Sequence, residues 1–429
     1  MARHDRSVDI HNYEHLLSKA EAQVRQSRSS ERNKALILQY RDVCMVRNIC
    51  RNVRLIRVLG VLTLFARTAE KDFDHLSRAD IEGLFTKLVQ RRPAYTPETL
   101  GSYKGILKRF LTWVVQPDDF PTKTPPPLVS WISAHVKKSQ RRRLDRNELL
   151  TPQDIKATIA ACQNVRDRAL ISVLWETGGR IAEIGNLQLK HVIKREHGFT
   201  LDVDGKTGQR NPLIISSAPA LAQWLALHPA KDDPQSPLWV HYHHERRAGH
   251  LRYSTIRGLI QVHFQHAGIT KRVFPHLFRH SRSTHVLASG LMTGQLAKSY
   301  FGWTQDSDML ARYSHLIDQD ANDAILRENN MATQQKPTHE LQAKACPTCN
   351  EINAADATYC TRCTAILDLK MAHEAHEQQE QTKTVLLQLA QLLAEKGLLD
   401  EAATAVHNAG LGKALKALAS APTSDKHHP

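Results

Sequence analysis

Along most of the chain apolar residues recur every three to four positions, the period of a helix with one buried face. NVRLIRVLGVLTLFARTA (52–69) has this rhythm, and so does TPETLGSYKGILKRFLTWV (96–114). In the second run Leu100, Tyr103, Leu107, Leu111 and Val114 share one face, while Lys104, Lys108 and Arg109 face elsewhere. Ser77 stands ahead of an acidic first turn and predicts a helix start. Residues 1–115 therefore read as a small helical domain with basic faces. Between 116 and 148 the rhythm collapses into PDDFPTKTPPPLVSWISAHVKKSQRRRLDRNELL. Its proline density breaks regular structure and predicts a linker.

The helical pattern returns at LTPQDIKATIAACQ, where Thr151 is a good N-cap and Asp154 suits the first turn. It continues through VRDRALISVLWETGGRIAEIGNLQL, two helices around a Gly-Gly break. GFTLDVDG and NPLIISS read as short strands joined across the turn residues GKTGQR. Helical patterns then run to about 328, making 149–328 a second domain. A polar linker follows, then a cysteine-rich segment (340–368) and a helical tail (369–429) whose end reads as disordered. In the tail Leu386, Leu389, Leu393 and Leu398 form an apolar stripe that suits packing or a partner helix. The fold class is mainly α with a small β-sheet.

At 429 residues the chain is too long for one core. It has 58 Lys and Arg against 43 Asp and Glu, a net charge of +15, which points to a polyanionic partner. In this light Lys104, Lys108 and the cluster Arg141, Arg142 and Arg143 are candidate DNA contacts, although a charge run also fits a simply solvated segment. No run of about 18 apolar residues occurs, and the first residues lack the apolar core of a signal peptide, so the expectation is a cytoplasmic protein without membrane association. Cys44, Cys50 and Cys162 lie among apolar neighbours and read as buried free thiols.

Candidate chemistry falls between 175 and 316. Arg180 follows two glycines that permit close backbone approach; alone it fits a surface arginine paired with Glu183. Lys206 lies in the GKTGQR turn, where a lysine is usually a solubilising charge. PHLFRHSRSTHVLASG places His276, Arg279 and His280 within one helical turn, a costly set for a core helix unless an anion or carboxylate is near. Tyr313, between Arg312 and His315, fits core packing or a nucleophile.

Arginine in ETGGRIAEI, lysine in GKTGQR, the HLFRH box, Gly302-Trp303 and a tyrosine ten residues later together resemble the tyrosine recombinase (phage integrase) family. The likeness covers the second domain almost entirely, and the first domain with its basic linker is similar to that family's core-binding domain. It implies that Arg180 and Arg279 clamp the scissile phosphate, that His276 assists proton transfer, that Lys206 is the general acid and that Tyr313 is the nucleophile. Trp303, where many members carry histidine, would pack or donate a hydrogen bond; Glu183 would orient Arg180, and His280 would support the site. The resemblance further implies four protomers on two duplex sites and no small-molecule substrate.

The physical chemistry is compatible. A phenol with pKa of about 10 needs nearby cations or a base to attack at neutral pH. Planar guanidinium groups match the charge spread over non-bridging phosphate oxygens, and the leaving 5′ oxygen needs a proton. Such a scheme requires no catalytic metal. Type IB topoisomerases share the covalent step but rejoin the original strand, and a DNA-binding regulator on an inactive fold is the rival of another class.

Cys346, Cys349, Cys360 and Cys363 follow C-x2-C-x10-C-x2-C. This spacing predicts a structural zinc ribbon; two disulfides or a redox pair are the alternatives. WVHYHHERRAGH (239–250) is rich in histidine but reads as an exposed connecting segment, not a metal site.

Overall fold

The computed structural model describes residues 8–140, 142, 145–205, 208–241, 249–304, 307, 342–346, 348–355, 357–367 and scattered positions between 381 and 398. Five helices open the chain: α1 (Tyr13–Arg25), α2 (Glu31–Val46), α3 (Asn52–Thr68), α4 (Arg78–Gln90) and α5 (Pro97–Val115). Ser77 caps α4 in a capping box with Asp80, as its sequence position predicts. The buried face of α5 centres on Ile106, Leu107, Phe110, Leu111 and Trp113. It is thus rotated slightly from the predicted stripe, because α3 and the aromatic cluster of Tyr40, Phe73 and Phe110 close over it.

Inside the segment read as a linker, Phe120, Val129 and Ile132 are buried in this first core, with α6 (Pro127–Ser130) docked on α5. Proline density removes long helices here, yet does not stop three large apolar residues from finding the core.

A second core gathers α7 (Pro152–Ala161), α8 (Val165–Thr177), α9 (Ile181–Gly185) and five short strands, β1 (Val192–Arg195), β2 (Gly198–Leu201), β3 (Val203–Gly205), β4 (Gly208–Arg210) and β5 (Leu213–Ile214). It then takes in α10 (Ala218–Ala226), α11 (Tyr253–His266), α12 (Pro275–Ala288) and α13 (Gly294–Phe301). Thr151 caps α7 in a capping box with Asp154.

Of the twelve positions of α8 from Arg166 to Thr177 all but Arg168 are buried, so the helix is enclosed nearly all round. It is the central helix, against which α7, α10 and α12 pack. The two charged residues at its start, Arg166 and Asp167, survive burial because they pair with each other and with His263 on α11.

Strands β1, β2 and β5 form one antiparallel sheet in the order β1-β2-β5, and β3 pairs only with β4, Val203 opposite Arg210 and Gly205 opposite Gly208. The predicted GFTLDVDG strand is therefore two strands serving two sheets. The histidine-rich stretch also differs from expectation. Trp239 and Val240 are core residues, and the Trp239 indole N–H donates to the Ile184 carbonyl, while 242–248 lie outside the described residues.

The N-terminal segment crosses to this second core. Ile10 is 1% exposed there; its N–H donates to Asn186 Oδ1 at 3.0 Å, and its carbonyl accepts from the Tyr253 N–H at 2.9 Å. No helix among the described residues is long and apolar enough to cross a membrane. Of the scattered thiols, Cys44 and Cys162 are buried, and burial pushes both up to about 12.

Candidate active site and metal centre

The site is built around the turn that ends α8. Gly178 closes the helix in the left-handed region (φ 52°), and a Cβ there would lie 2.7 Å from Phe301 Cε1 on α13. Glu176, just before it, is a fastening point missed in the sequence. Its carboxylate accepts from the N–H groups of Ile215, Ser216 and Ser217 and from the Ser217 hydroxyl, while its carbonyl accepts from Arg282 Nε and the Tyr300 hydroxyl. The turn is thereby tied to β5, α10, α12 and α13 together.

Arg180 emerges at the start of α9 with its side chain 28% exposed. Its Nη1 donates to Glu183 Oε1 at 2.5 Å and its Nη2 approaches the Gly302 carbonyl at 3.5 Å, while its backbone N–H donates to Glu183 Oε2 at 3.1 Å. Arg279 reaches the same turn from α12. It is 1% exposed, with Nη1 donating to the Gly178 carbonyl at 3.2 Å and Nη2 to the Phe301 carbonyl, and its guanidinium lies 5.7 Å from the Phe301 ring and 5.9 Å from that of Trp303. Trp303, 8% exposed, stacks on Phe301 at 5.3 Å. Two arginines about a hundred residues apart in sequence thus reach the adjacent carbonyls of Phe301 and Gly302.

Glu183 is 3% exposed and is also gripped by Arg210, whose Nη2 donates to Glu183 Oε2 at 2.7 Å. Burial alone would raise its carboxyl, but the Arg210 charge and hydrogen bonds from Arg210 and Arg180 hold it below the usual range. Arg210 was not singled out in the sequence, and a cation four residues after Lys206 carries no signal that distinguishes it from a solubilising charge.

His276 and His280 lie edge to face at 4.5 Å on α12, but the three residues of the box diverge: His276 is exposed, His280 half-buried and Arg279 buried. Lys206 and Tyr313 lie outside the described residues, as do Arg141 and Arg143. Arg142 is exposed and pairs with Glu148. Lys104 Nζ stands 5.5 Å from the Phe85 ring, and Lys108 Nζ donates to the carbonyls of Ser130 and Ile132, which fastens α6 to α5.

The four cysteines converge. Sγ atoms of Cys346 and Cys363 are 3.5 Å apart, those of Cys349 and Cys360 are 3.6 Å apart, and all four lie within 4.8 Å of one another. Four sulfurs about 2.3 Å from one tetrahedral centre would be separated by about 3.8 Å, so the set fits a metal ion. These separations far exceed the roughly 2 Å of a disulfide, and all four thiols are free.

The two Cys-x2-Cys turns repeat one backbone shape. Asn350 N–H donates to the Cys346 carbonyl and Thr364 N–H to that of Cys360, with positive φ at both Asn350 (57°) and Thr364 (60°). That a β-branched threonine adopts this conformation argues that the sulfur geometry dictates the turn. Of the tail's apolar stripe, Leu389 and Leu398 are exposed, and Leu386 and Leu393 lie outside the described residues.

Comparison with known proteins agrees with this architecture. Residues 148–320 match the family model described as the phage integrase family. A tyrosine recombinase XerC of Shewanella amazonensis is 25% identical over 223 residues, covering 51% of this chain and 71% of that protein. A tyrosine recombinase XerA of Pyrococcus furiosus is 30% identical over 33% of this chain and 49% of its own length. XerC 1 of Ralstonia nicotianae is 31% identical over 29% of this chain and 42% of its own. The chain thus spans about half or less of these last two relatives.

Among solved structures, the XerH site-specific recombinase bound to palindromic difH substrate superposes with a TM-score of 0.51 at 16% identity, covering 75% of this chain and 98% of that one. The Tn1549 transposon integrase with transposon right-end DNA gives 0.50 at 15% identity, covering 68% of this chain and 99% of that one. These two likenesses are of fold. The sequence matches make residues 148–320 a region similar to the phage integrase family and to Xer tyrosine recombinases.

Proposed function

We propose that this protein is a site-specific recombinase that cuts and rejoins duplex DNA through a 3′-phosphotyrosine at Tyr313. The Tyr313 phenolate attacks the scissile phosphorus as the bond to the 5′ oxygen breaks, and Lys206 gives that oxygen its proton. Arg180 and Arg279 hold the non-bridging oxygens, His276 assists proton transfer, and Trp303 and His280 support the site. Because the phosphodiester bond is conserved in the intermediate, the 5′ hydroxyl of another strand can reverse the attack and exchange strands.

The observation that carries this reading is the convergence of Arg180 and Arg279 on one stretch of backbone. Two guanidinium groups fixed before substrate arrives cost no reorganisation as negative charge develops. The helical first domain and the catalytic domain would close on DNA from two sides, with four protomers on two sites, in the cytoplasm. The four cysteines would hold zinc, a crosslink for a module too small to build its own core.

Covalent trapping tests the reading. A nicked duplex carrying the sequence that flanks the protein's own coding region is incubated with the wild type and with Tyr313→Phe. An SDS-resistant protein–DNA band in the wild type alone supports it. Tight binding to that duplex with no band would overturn it.

A further inference from the structure

Among the described residues β3 and β4, which flank Lys206 in sequence, form a ribbon that belongs to no larger sheet, and a two-stranded ribbon is marginal in water by itself. It is fixed at two points. On β3, Gly205 approaches Glu183 so closely that a Cβ would lie 2.6 Å from Oε1 and 3.5 Å from Arg180 Nη1. On β4, the Arg210 guanidinium bridges two partners at once. Nη2 donates to Glu183 Oε2 at 2.7 Å and Nη1 to the Tyr300 carbonyl of α13 at 2.9 Å, with the side chain only 10% exposed. Gly205 immediately precedes Lys206 in the sequence.

We propose that Arg210 is a positioning residue for the proton-delivery step: by clipping the ribbon to Glu183 and to α13, it fixes the base of the Lys206 turn beside Arg180. The inference rests on the reading of Lys206 as general acid. The fork geometry matters, because one guanidinium spans a carboxylate and a carbonyl in different directions, and a lysine ammonium is a single point charge. Glu183 then has two tasks. It orients Arg180 through one oxygen and receives the ribbon's clip through the other.

The test separates proton delivery from every other contribution. Single-turnover cleavage is measured on two nicked duplexes, one with the natural 5′ oxygen at the scissile bond and one with sulfur in its place. With oxygen, the P–O bond breaks and the alkoxide must be protonated; with sulfur, the P–S bond breaks and a thiolate leaves without a proton, since thiols are far more acidic than alcohols. Arg210→Gln should slow cleavage of the oxygen substrate by about a hundredfold, the scale of a lost general acid, and cleave the sulfur substrate near the wild-type rate, as Lys206→Ala should.

Equal loss on both substrates, or no loss on either, would overturn the proposal by making Arg210 a general structural residue or an irrelevant one. If circular dichroism shows Arg210→Gln to be unfolded, Arg210→Lys, which keeps the buried charge but not the fork, decides by the same two rates. Failure of the underlying reading looks different: the wild type would form no adduct with either substrate.

Discussion

The Arg180–Glu183–Arg210 cluster makes a quantitative demand. Glu183→Gln keeps the shape of the side chain but replaces one acceptor oxygen by an NH2 group and removes the negative charge between two guanidinium groups. Removing one partner of a buried ion pair costs about 3–5 kcal/mol, and with Arg180 partly open to solvent about 2–4 kcal/mol is the better expectation here. Urea unfolding of the full chain, followed by tryptophan fluorescence, measures it. Trp175, Trp224, Trp239 and Trp303 all report on the second core.

The double variant Glu183→Gln/Arg210→Gln should cost less than the sum of the single variants by about 1–3 kcal/mol, because the second change relieves the charge the first left unpaired. Strict additivity would refute the reasoning. A pH series adds a sign. The folded carboxyl titrates below its ordinary 4.5, so its stabilisation is full above 4.5 and fades as pH falls through the depressed folded value. The gap between wild type and Glu183→Gln should therefore narrow on acidification, and a gap that widens would contradict the assignment.

Other outcomes follow from single contacts. Gly178→Ala forces an alanine to φ 52° and sets a methyl 2.7 Å from Phe301; about 2 kcal/mol or more of stability should be lost on denaturation, together with cleavage activity, because the Arg180 turn must shift. Asp167→Asn breaks the buried contact with Arg166 and His263 and should lower the unfolding free energy by about 3–5 kcal/mol. Native mass spectrometry should find one zinc per chain, absent after Cys360→Ser; a metal-free wild type purified in zinc would sink the ribbon assignment.

What could be read from the sequence is what depends on near neighbours. Ser77 and Thr151 cap their helices through residues three positions on, and Glu183 meets Arg180 at the same spacing, so local composition suffices. The four cysteines announce themselves by spacing, because a set able to hold a metal must match residue type as well as place. The partners of Arg210, by contrast, come from Glu183 and the α13 backbone, and no periodicity predicts which carbonyl a buried guanidinium will find. Lys108 illustrates the converse: it reads as a basic surface residue, yet donates to two linker carbonyls. Ile10, apart in sequence from the core it enters, is as invisible, because one apolar residue in a polar stretch has no pattern to belong to.

The two arginines are anchored by different chemistry, and the difference bears on catalysis. Arg279 is oriented by the carbonyls of Gly178 and Phe301, whereas Arg180 leans on a carboxylate whose charge is shared with Arg210. Guanidinium groups held in place in this way suit a phosphodiester that gains negative charge at its transition state. The carbonyl anchor predicts that charge alone will not suffice at 279. In Arg279→Lys the ammonium keeps the charge but cannot reach the Gly178 and Phe301 carbonyls while also holding phosphate. Single-turnover cleavage should fall by about 10²–10³-fold, the scale of one lost oriented donor, while affinity for the duplex in a gel-shift titration stays close to that of the wild type. Near-normal cleavage by Arg279→Lys would mean that the two carbonyls merely tolerate the arginine and that its orientation contributes nothing to the reaction.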